Sequence, residues 1–191
     1  MLRVMIVDND LKRTTPLMQS LLESGYEVIA HLKDTINLDA ACCELQPDIV
    51  IIDTDSPSRD TLENICVMTM HEPRPIVMFT HDGNKEKIKS ATQAGVSAYV
   101  VGSISNERLT PVIDAAVARF EEFKQLRSEL KEANTKLSER KLVERAKGLL
   151  MKQRGIDENE AYSLLRNMAM EKNMRLATLS EQVIEAAKLL L

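Results

Sequence analysis

The first hundred residues alternate between short apolar runs and longer amphipathic segments. The apolar runs cover residues 2–7, 49–52, 75–79 and 98–101, and a shorter run covers residues 28–30. Apolar positions recur at helical spacing over residues 12–24, 37–45, 61–70 and 85–94, and again from Asn106 onward. Because strands alternate with helices, residues 1–119 are predicted to form an α/β domain with a parallel, doubly wound sheet of five strands.

Polar side chains follow the predicted strands. Asp8, Asn9 and Asp10 follow the first run, Asp53 follows residues 49–52, and Thr80 follows residues 75–79. The carboxyl ends of parallel strands share one edge of a sheet, so these side chains are expected to converge. Clustered carboxylates beside a hydroxyl suit a Mg²⁺ ion and a phosphoryl oxygen. The alternative is that strand-end aspartates, Asp10 above all, cap the helices that follow them.

A long helix is predicted from residue 113, because no Pro or Gly occurs before Gly148. Over residues 113–140 one set of heptad core positions is apolar and the other becomes polar. The first set is Ala116, Phe123, Leu130 and Leu137, and the second is Ile113, Phe120, Arg127, Asn134 and Lys141. This pattern favours a short coiled coil that joins two copies of the chain. A single exposed linker helix is the alternative.

Residues 138–191 are predicted to form a three-helix bundle. The first helix is expected to end near Gly155, a residue suited to a left-handed cap. Asp157 and Glu160 form a capping box for the second helix, which Asn173 is expected to close. A further capping box is predicted at residues 178–181, ahead of a last helix that reaches residue 191.

The first helix of this bundle combines an apolar stripe with basic residues on its other faces. The basic residues are Lys141, Arg145, Lys147, Lys152 and Arg154. Gly148 lies among them, although glycine costs about 1 kcal/mol relative to alanine inside a helix. Gly148 and the small Ala146 indicate that a ligand or another helix approaches the backbone closely. The residues alone leave both possibilities open.

Composition and charge narrow the class of protein. The 191 residues are 44% hydrophobic and 28% charged, and no apolar run reaches the roughly 20 residues of a membrane-spanning helix, so a soluble cytoplasmic protein is expected. Cys42, Cys43 and Cys66 follow no metal-ligand spacing and are expected to be reduced core thiols. The net charge is −4, yet residues 120–191 carry 14 Lys and Arg against 12 Asp and Glu. This distribution permits an acidic regulatory domain joined to a nucleic-acid-binding effector.

Residues 1–119 resemble the receiver domain of response regulators. The resemblance implies that Asp53 accepts a phosphoryl group and that Thr80 and Tyr99 are switch residues. It also implies a Mg²⁺ site at Asp8, Asn9 and Asp53, in which Asp10 can supply the charge that Asn9 lacks. The sequence departs from the family after the fifth strand. There Gly102 and Ser103 stand where the family has a lysine that contacts the phosphoryl group, usually followed by proline.

Residues 138–187 resemble the ANTAR domain, which binds RNA stem-loops with small loops and prevents transcription termination. The matching positions are 144–151, 160–162, 165–166, 169–170 and 175–176. The residues expected to contact RNA are Lys141, Arg145, Ala146, Lys147, Gly148, Lys152, Arg166 and Arg175.

The order of receiver, coiled coil and ANTAR domain resembles the AmiR- and NasT-type antitermination regulators, within them the NasT-type regulators of nitrate and nitrite assimilation. This resemblance implies that the chain binds leader RNA. It implies control through the receiver domain, by a nitrate-sensing inhibitory partner or by phosphorylation. The coiled-coil pattern favours a homodimer, and no enzyme activity is expected because His31, His71 and His81 are scattered and show no phosphotransfer pattern. A DNA-binding two-component response regulator is the alternative, although residues 176–191 are poor in the basic residues that a recognition helix exposes.

Overall fold

Five parallel strands form the sheet of the N-terminal unit in the computed structural model. Their bounds are β1 Arg3–Val7, β2 Glu27–Leu32, β3 Ile49–Thr54, β4 Ile76–Thr80 and β5 Ala98–Val101. They pair in the order β2-β1-β3-β4-β5, and every pair is parallel, which confirms the predicted sheet. β2 extends beyond the apolar run at residues 28–30. It is an edge strand whose positions are exposed or half-buried, so polar residues also occur in it.

The structure describes residues 1–102 and 106–189, which form two compact units, Met1–Lys124 and Gln125–Leu191. The predictions that concern Ser103 and the last two leucines lie outside the described residues. Among the helices of these two ranges, none has an apolar stretch long enough to cross a membrane.

Helices cover both faces of the sheet. Their bounds are α1 Leu11–Glu23, α2 Leu38–Leu45, α3 Arg59–His71, α4 Lys85–Ala94 and α5 Asn106–Arg154. Side chains alternate along β1, so that Met5 and Val7 join the core with α2, α3 and α4, whereas Val4 and Ile6 join the core with α1 and α5. The two cores position the carboxyl ends of β1, β3 and β4 at one edge.

The first residues of the predicted coiled coil belong to the core of the N-terminal unit. Ile113 and Ala116 are buried against the sheet, so the prediction that they face a second copy of the chain is wrong. Farther along α5 the exposed apolar side chains are Phe123, Leu126, Leu130 and Leu137. Leu126 lies three residues after Phe123 and four before Leu130, so it continues this apolar stripe better than Arg127 of the predicted set.

The C-terminal unit contains the end of α5 with α6 Glu158–Glu171 and α7 Leu176–Leu189. Their apolar faces share one core, formed by Ala146, Leu150, Ala161, Leu165, Ala169, Leu179 and Ile184. α5 ends before Gly155, whose φ is +66°. Asp157 and Glu160 form the predicted capping box of α6, and Asn173 follows that helix with a φ of +51°.

The start of α7 differs from the prediction. The helix begins at Leu176, so Thr178 lies inside it and the predicted capping box at residues 178–181 is wrong. The Ser180 hydroxyl donates a hydrogen bond to the carbonyl oxygen of Leu176 at 2.7 Å. This bond within the helix satisfies the hydroxyl without a cap.

The three cysteines are free thiols in different surroundings. Cys42 is buried, Cys66 is half-buried and Cys43 is exposed. Desolvation raises the pKa of Cys42 to about 11. The expectation of a core thiol is wrong for Cys43, because the residue after a buried helical position faces away from the core.

Candidate functional site

Acidic side chains gather at the carboxyl ends of β1 and β3. Asp8 follows β1 and is 2% exposed. Its Oδ1 accepts a hydrogen bond from the N–H of Asp10 at 2.8 Å, and its Oδ2 accepts one from the Thr14 hydroxyl at 2.9 Å. Asp10 caps α1, since its Oδ1 accepts from the N–H of Lys12 at 2.9 Å. We call the following five residues the acidic cluster: Asp8, Asn9, Asp10, Asp53 and Asp55.

A cation lies among these side chains. The guanidinium of Arg13, in the first turn of α1, approaches Asp8 Oδ1 at 3.3 Å and Asn9 Oδ1 at 3.4 Å through Nη2. Through Nη1 it forms an ion pair with Asp55. Desolvation alone would lower the pKa of Arg13, but the charges of Asp53, Asp8 and Asp55 outweigh it and raise that pKa. The guanidinium therefore stays charged within the cluster.

Asp53 is half-buried at the end of β3. Desolvation raises the pKa of its carboxyl group, and the charge of Asp8 adds to the rise. Arg13 and His81 act in the opposite direction without cancelling it. Ionised Asp53 is therefore less favourable in the folded chain than in water.

Sequence reasoning does not find Arg13 or Asp55. The available signal for Arg13 is its place in the first turn of the helix after Asp8, because helical side chains lean toward the N-terminus of their helix. Asp55 follows the last residue of β3, and the alternation along a strand does not fix the direction of a side chain in the loop beyond it.

Thr80 and Tyr99 join a hydrogen-bond network between the loops after β3 and β4. The Thr80 hydroxyl donates to the carbonyl oxygen of Asp55 at 2.8 Å, and the Ser56 hydroxyl donates to Asp82 Oδ2 at 2.6 Å. The Tyr99 hydroxyl donates to the carbonyl oxygen of Asp82 at 2.8 Å, and desolvation raises the pKa of Tyr99. Both residues thus hold main-chain atoms of these loops.

Basic side chains of α5 form an exposed face in the C-terminal unit. Lys141, Arg145, Gly148 and Lys152 are spaced by four, three and four residues, which places them on one side of a helix. The three basic side chains are exposed, and a Cβ added to Gly148 would meet no atom within 4 Å. In the described part of the chain no helix packs against α5 at Gly148, so a helix crossing within this chain does not explain the glycine. We term these four residues the basic face.

Two residues predicted to contact RNA lie elsewhere on α5. Ala146 is fully buried in the core of the unit. Lys147 is 7% exposed, and its Nζ lies 2.7 Å from Glu158 Oε1 and 2.9 Å from Glu144 Oε1. Hydrogen bonds to Glu158 and Glu144 raise the pKa of Lys147. Neither Ala146 nor Lys147 is presented to a ligand, which corrects the prediction for both.

Exposed basic residues also occur beside α6 and α7. Arg175 lines a groove of about 480 Å³ together with Lys136 and Arg140 of α5. Arg166 is exposed on α6, one turn after Tyr162, whose side chain is 43% exposed. Sequence reasoning misses Lys136, Arg140 and the exposure of Tyr162, because helical periodicity alone does not show which edge of an apolar stripe a neighbouring helix covers.

Comparison with known families accounts for both units. The sequence matches the response regulator receiver domain over residues 4–114 and the ANTAR domain over residues 131–184. The chain belongs to the ANTAR-type response regulators. It is 32% identical over 183 residues to the transcriptional regulatory protein PdtaR of Mycobacterium tuberculosis, a match that covers 96% of this chain and 89% of that protein.

Two further similarities are more limited. A 63-residue stretch of this ANTAR-type regulator is 40% identical to the nitrate regulatory protein of Klebsiella oxytoca and covers 33% of this chain and 16% of that protein. The fold resembles the signal receiver domain of a modulated diguanylate cyclase from Desulfovibrio desulfuricans G20, with a TM-score of 0.56, 20% identity and coverage of 63% of this chain and 97% of that chain. The family matches confirm an ANTAR-type antitermination regulator, which is a regulator and not an enzyme.

Receiver domains generally bind Mg²⁺ at their phosphorylation site, and the acidic cluster of this regulator does not fit that ion. Within residues 1–102 and 106–189, no three His, Cys, Asp or Glu side chains are grouped as metal ligands. Arg13 bridges Asp8 and Asp55, and Asn9 supplies a neutral amide. The Mg²⁺ site predicted at Asp8, Asn9, Asp10 and Asp53 is not formed in this arrangement.

Glycine occupies the position of the family's lysine. Gly102 has a φ of +92°, in the left-handed region that L side chains rarely adopt. Its N–H donates a hydrogen bond to the carbonyl oxygen of Thr80 at 2.8 Å. A lysine would be strained in this backbone conformation.

Proposed function

We propose that this ANTAR-type regulator binds stem-loops in leader RNA through the basic face and thereby prevents transcription termination. The observation that carries the proposal is the basic face itself, in which three exposed cations flank a glycine with open space beside it. Lys141 and Lys152 are separated by about 16 Å along the helix axis. This length allows contact with several phosphates, and such contacts supply most of the affinity for nucleic acid.

The loop of the RNA requires a second kind of contact. Sequence-specific RNA recognition uses splayed bases that stack on aromatic rings or guanidinium planes. Tyr162 and Arg166 offer an exposed ring and an exposed guanidinium one turn apart on α6. The proposal assigns loop bases to these two residues and further phosphates to the groove that Arg175 lines with Lys136 and Arg140.

The test compares a leader RNA that contains two hairpins with the matching duplex DNA, using the full-length chain. The variant K141Q/R145Q/K152Q is expected to weaken RNA binding about 100-fold and to reduce the slope of log affinity against log salt by about 2 to 3. The matched control K124Q/K172Q/K188Q removes three exposed charges outside the basic face and should leave most of the affinity. Unchanged RNA binding by the first variant would show that the basic face does not bind RNA. Preference for duplex DNA would support a DNA-binding response regulator instead.

The proposal includes a homodimer joined along α5. Leu126, Leu130 and Leu137 are each more than half exposed, and such a row on a helix is covered when a second helix packs against it. Sedimentation of the wild-type chain at micromolar concentration should give the mass of a dimer. Leu130→Glu should give a monomer with an unchanged circular dichroism spectrum. A monomeric wild-type chain would contradict this part of the proposal.

The proposal also assigns the regulator to nitrate and nitrite assimilation genes. It is supported by the resemblance to NasT-type regulators and by the 63-residue similarity to the nitrate regulatory protein of Klebsiella oxytoca. Control would act on the receiver domain, through a nitrate-sensing inhibitory partner or through phosphorylation of Asp53. Gel shifts with a leader RNA from a nitrate assimilation operon, against an unrelated two-hairpin leader and with or without the sensor protein, test both statements.

A further inference from the structure

The acidic cluster of the receiver domain contains its own cation. We propose that Arg13 takes the place of the Mg²⁺ ion that receiver domains bind, so that this domain excludes divalent metal ions and keeps its loops in position without one. The inference concerns the N-terminal unit alone and does not depend on RNA binding.

The guanidinium of Arg13 provides the positive charge that the buried carboxylate of the cluster lacks. Asp8 is buried, and a buried carboxylate is unfavourable without a paired charge. Arg13 supplies that charge at 3.3 Å from Asp8 Oδ1, while its Nε lies 3.8 Å from Asp10 Oδ2 and its Nη1 pairs with Asp55. The fork of a guanidinium suits several oxygens at once. One side chain therefore bridges the end of β1 and the loop after β3, and its Nε lies within ion-pair distance of the cap of α1.

The oxygens that a metal would need are already engaged. Mg²⁺ requires near-octahedral oxygen ligands at about 2.0–2.1 Å. Asp8 accepts hydrogen bonds from the Asp10 N–H and the Thr14 hydroxyl, in addition to its contact with Arg13. Asn9 offers an uncharged oxygen that already lies 3.4 Å from Nη2 of Arg13. A divalent ion between these groups would face the guanidinium charge directly, so Arg13 must leave before a metal ion can enter.

Arg13 also holds the loop after β3. The side chain of Asp55 pairs with Arg13, while its carbonyl oxygen accepts hydrogen bonds from the Thr80 hydroxyl at 2.8 Å and the His81 N–H at 3.2 Å. The loop after β4 is thereby joined to α1 through Asp55. Arg13 gives both loops a fixed position that requires no bound ion.

Calorimetric titration of the full-length chain with Mg²⁺ tests this proposal. The wild-type chain is expected to show no saturable binding at millimolar Mg²⁺. Arg13→Gln should bind Mg²⁺ at least about tenfold more tightly, and Mg²⁺ should raise its unfolding temperature but not that of the wild type. Asp53→Asn in the Arg13→Gln background should abolish the gained binding. Lys12→Gln, which removes an exposed charge from the adjacent residue, should titrate like the wild type.

Two outcomes would overturn the proposal. The first is saturable Mg²⁺ binding by the wild-type chain in the millimolar range or tighter that Asp53→Asn abolishes, an experiment that needs no variant of Arg13. The second is a folded Arg13→Gln chain, judged by circular dichroism, that binds Mg²⁺ no better than the wild type. If the glutamine variant does not fold, Arg13→Met keeps the aliphatic packing and is subject to the same criterion.

Discussion

The acidic cluster and the basic face are both concentrations of charge, but their surroundings differ. In the acidic cluster, Asp8 is buried and Arg13 pairs with carboxylates of the same chain. In the basic face the cations are exposed to solvent. A charge that is paired inside the fold fixes a conformation, whereas an exposed charge can exchange water and small ions for a ligand. Arg145 and Lys147, two residues apart on α5, show the same difference within one turn.

Removing the buried carboxylate of Asp8 is the strongest test of this difference between paired and exposed charges. Asp8→Asn should destabilise the N-terminal unit by about 2 kcal/mol, because Arg13 loses its buried partner. Urea unfolding followed by circular dichroism measures the change. Asp60→Asn removes an exposed acid from α3 and should stay within about 0.5 kcal/mol of the wild type. Equal effects of the two substitutions would show that the cluster does not stabilise the fold.

A matched pair on α5 sharpens the contrast between an exposed and a paired cation. Arg145→Met should weaken binding of a fluorescent leader RNA about tenfold, with an unchanged melting curve. Lys147→Met should lower the unfolding temperature of the C-terminal unit, because Glu144 and Glu158 lose the ammonium group they share, and should leave RNA affinity largely intact. The reverse pattern would place Lys147, and not Arg145, at the RNA.

Gly148 tests whether the basic face is shaped for close approach. Gly148→Ala should stabilise the C-terminal unit by up to about 1 kcal/mol, since the added Cβ meets no atom within 4 Å. RNA affinity should nevertheless fall severalfold if the ligand lies against this residue. Gly155→Ala is the control, because its φ of +66° makes the same substitution unfavourable. An alanine at position 148 that leaves RNA binding unchanged would leave no role for the glycine in recognition.

The smallest expected effect is a difference in the pH dependence of stability between Asp53 of the acidic cluster and Asp82 of the loop after β4. Desolvation raises the pKa of Asp53, so wild-type stability falls as pH rises through that pKa, and Asp53→Asn should be the more stable chain at neutral pH. For Asp82 the pH dependence of stability is reversed, because a hydrogen bond from Ser56 lowers its pKa. Asp82→Asn should therefore lose stability at neutral pH. Both differences should shrink in urea titrations near pH 4, where ordinary aspartates become protonated.

Features that depend on nearby residues could be predicted from the sequence, whereas contacts between distant residues could not. The buried strands and α4 were predictable because apolar runs and helical spacing are local signals, as the capping box of Asp157 and Glu160 is for α6. The role of Lys147 was not, because its pairing with Glu158 depends on how α6 folds back onto α5. Arg13 was missed for the same reason. Its partner Asp55 lies 42 residues away in the sequence, and no periodicity records such a pair.

The left-handed backbone at Gly102 bears on how this receiver domain can evolve. A lysine placed there would cost roughly 1 to 2 kcal/mol in backbone strain. Neither Gly102→Lys nor the loss of Arg13 alone restores the arrangement typical of receiver domains. Both positions therefore have to change before that arrangement can form. The glycine makes the departure from that arrangement hard to reverse.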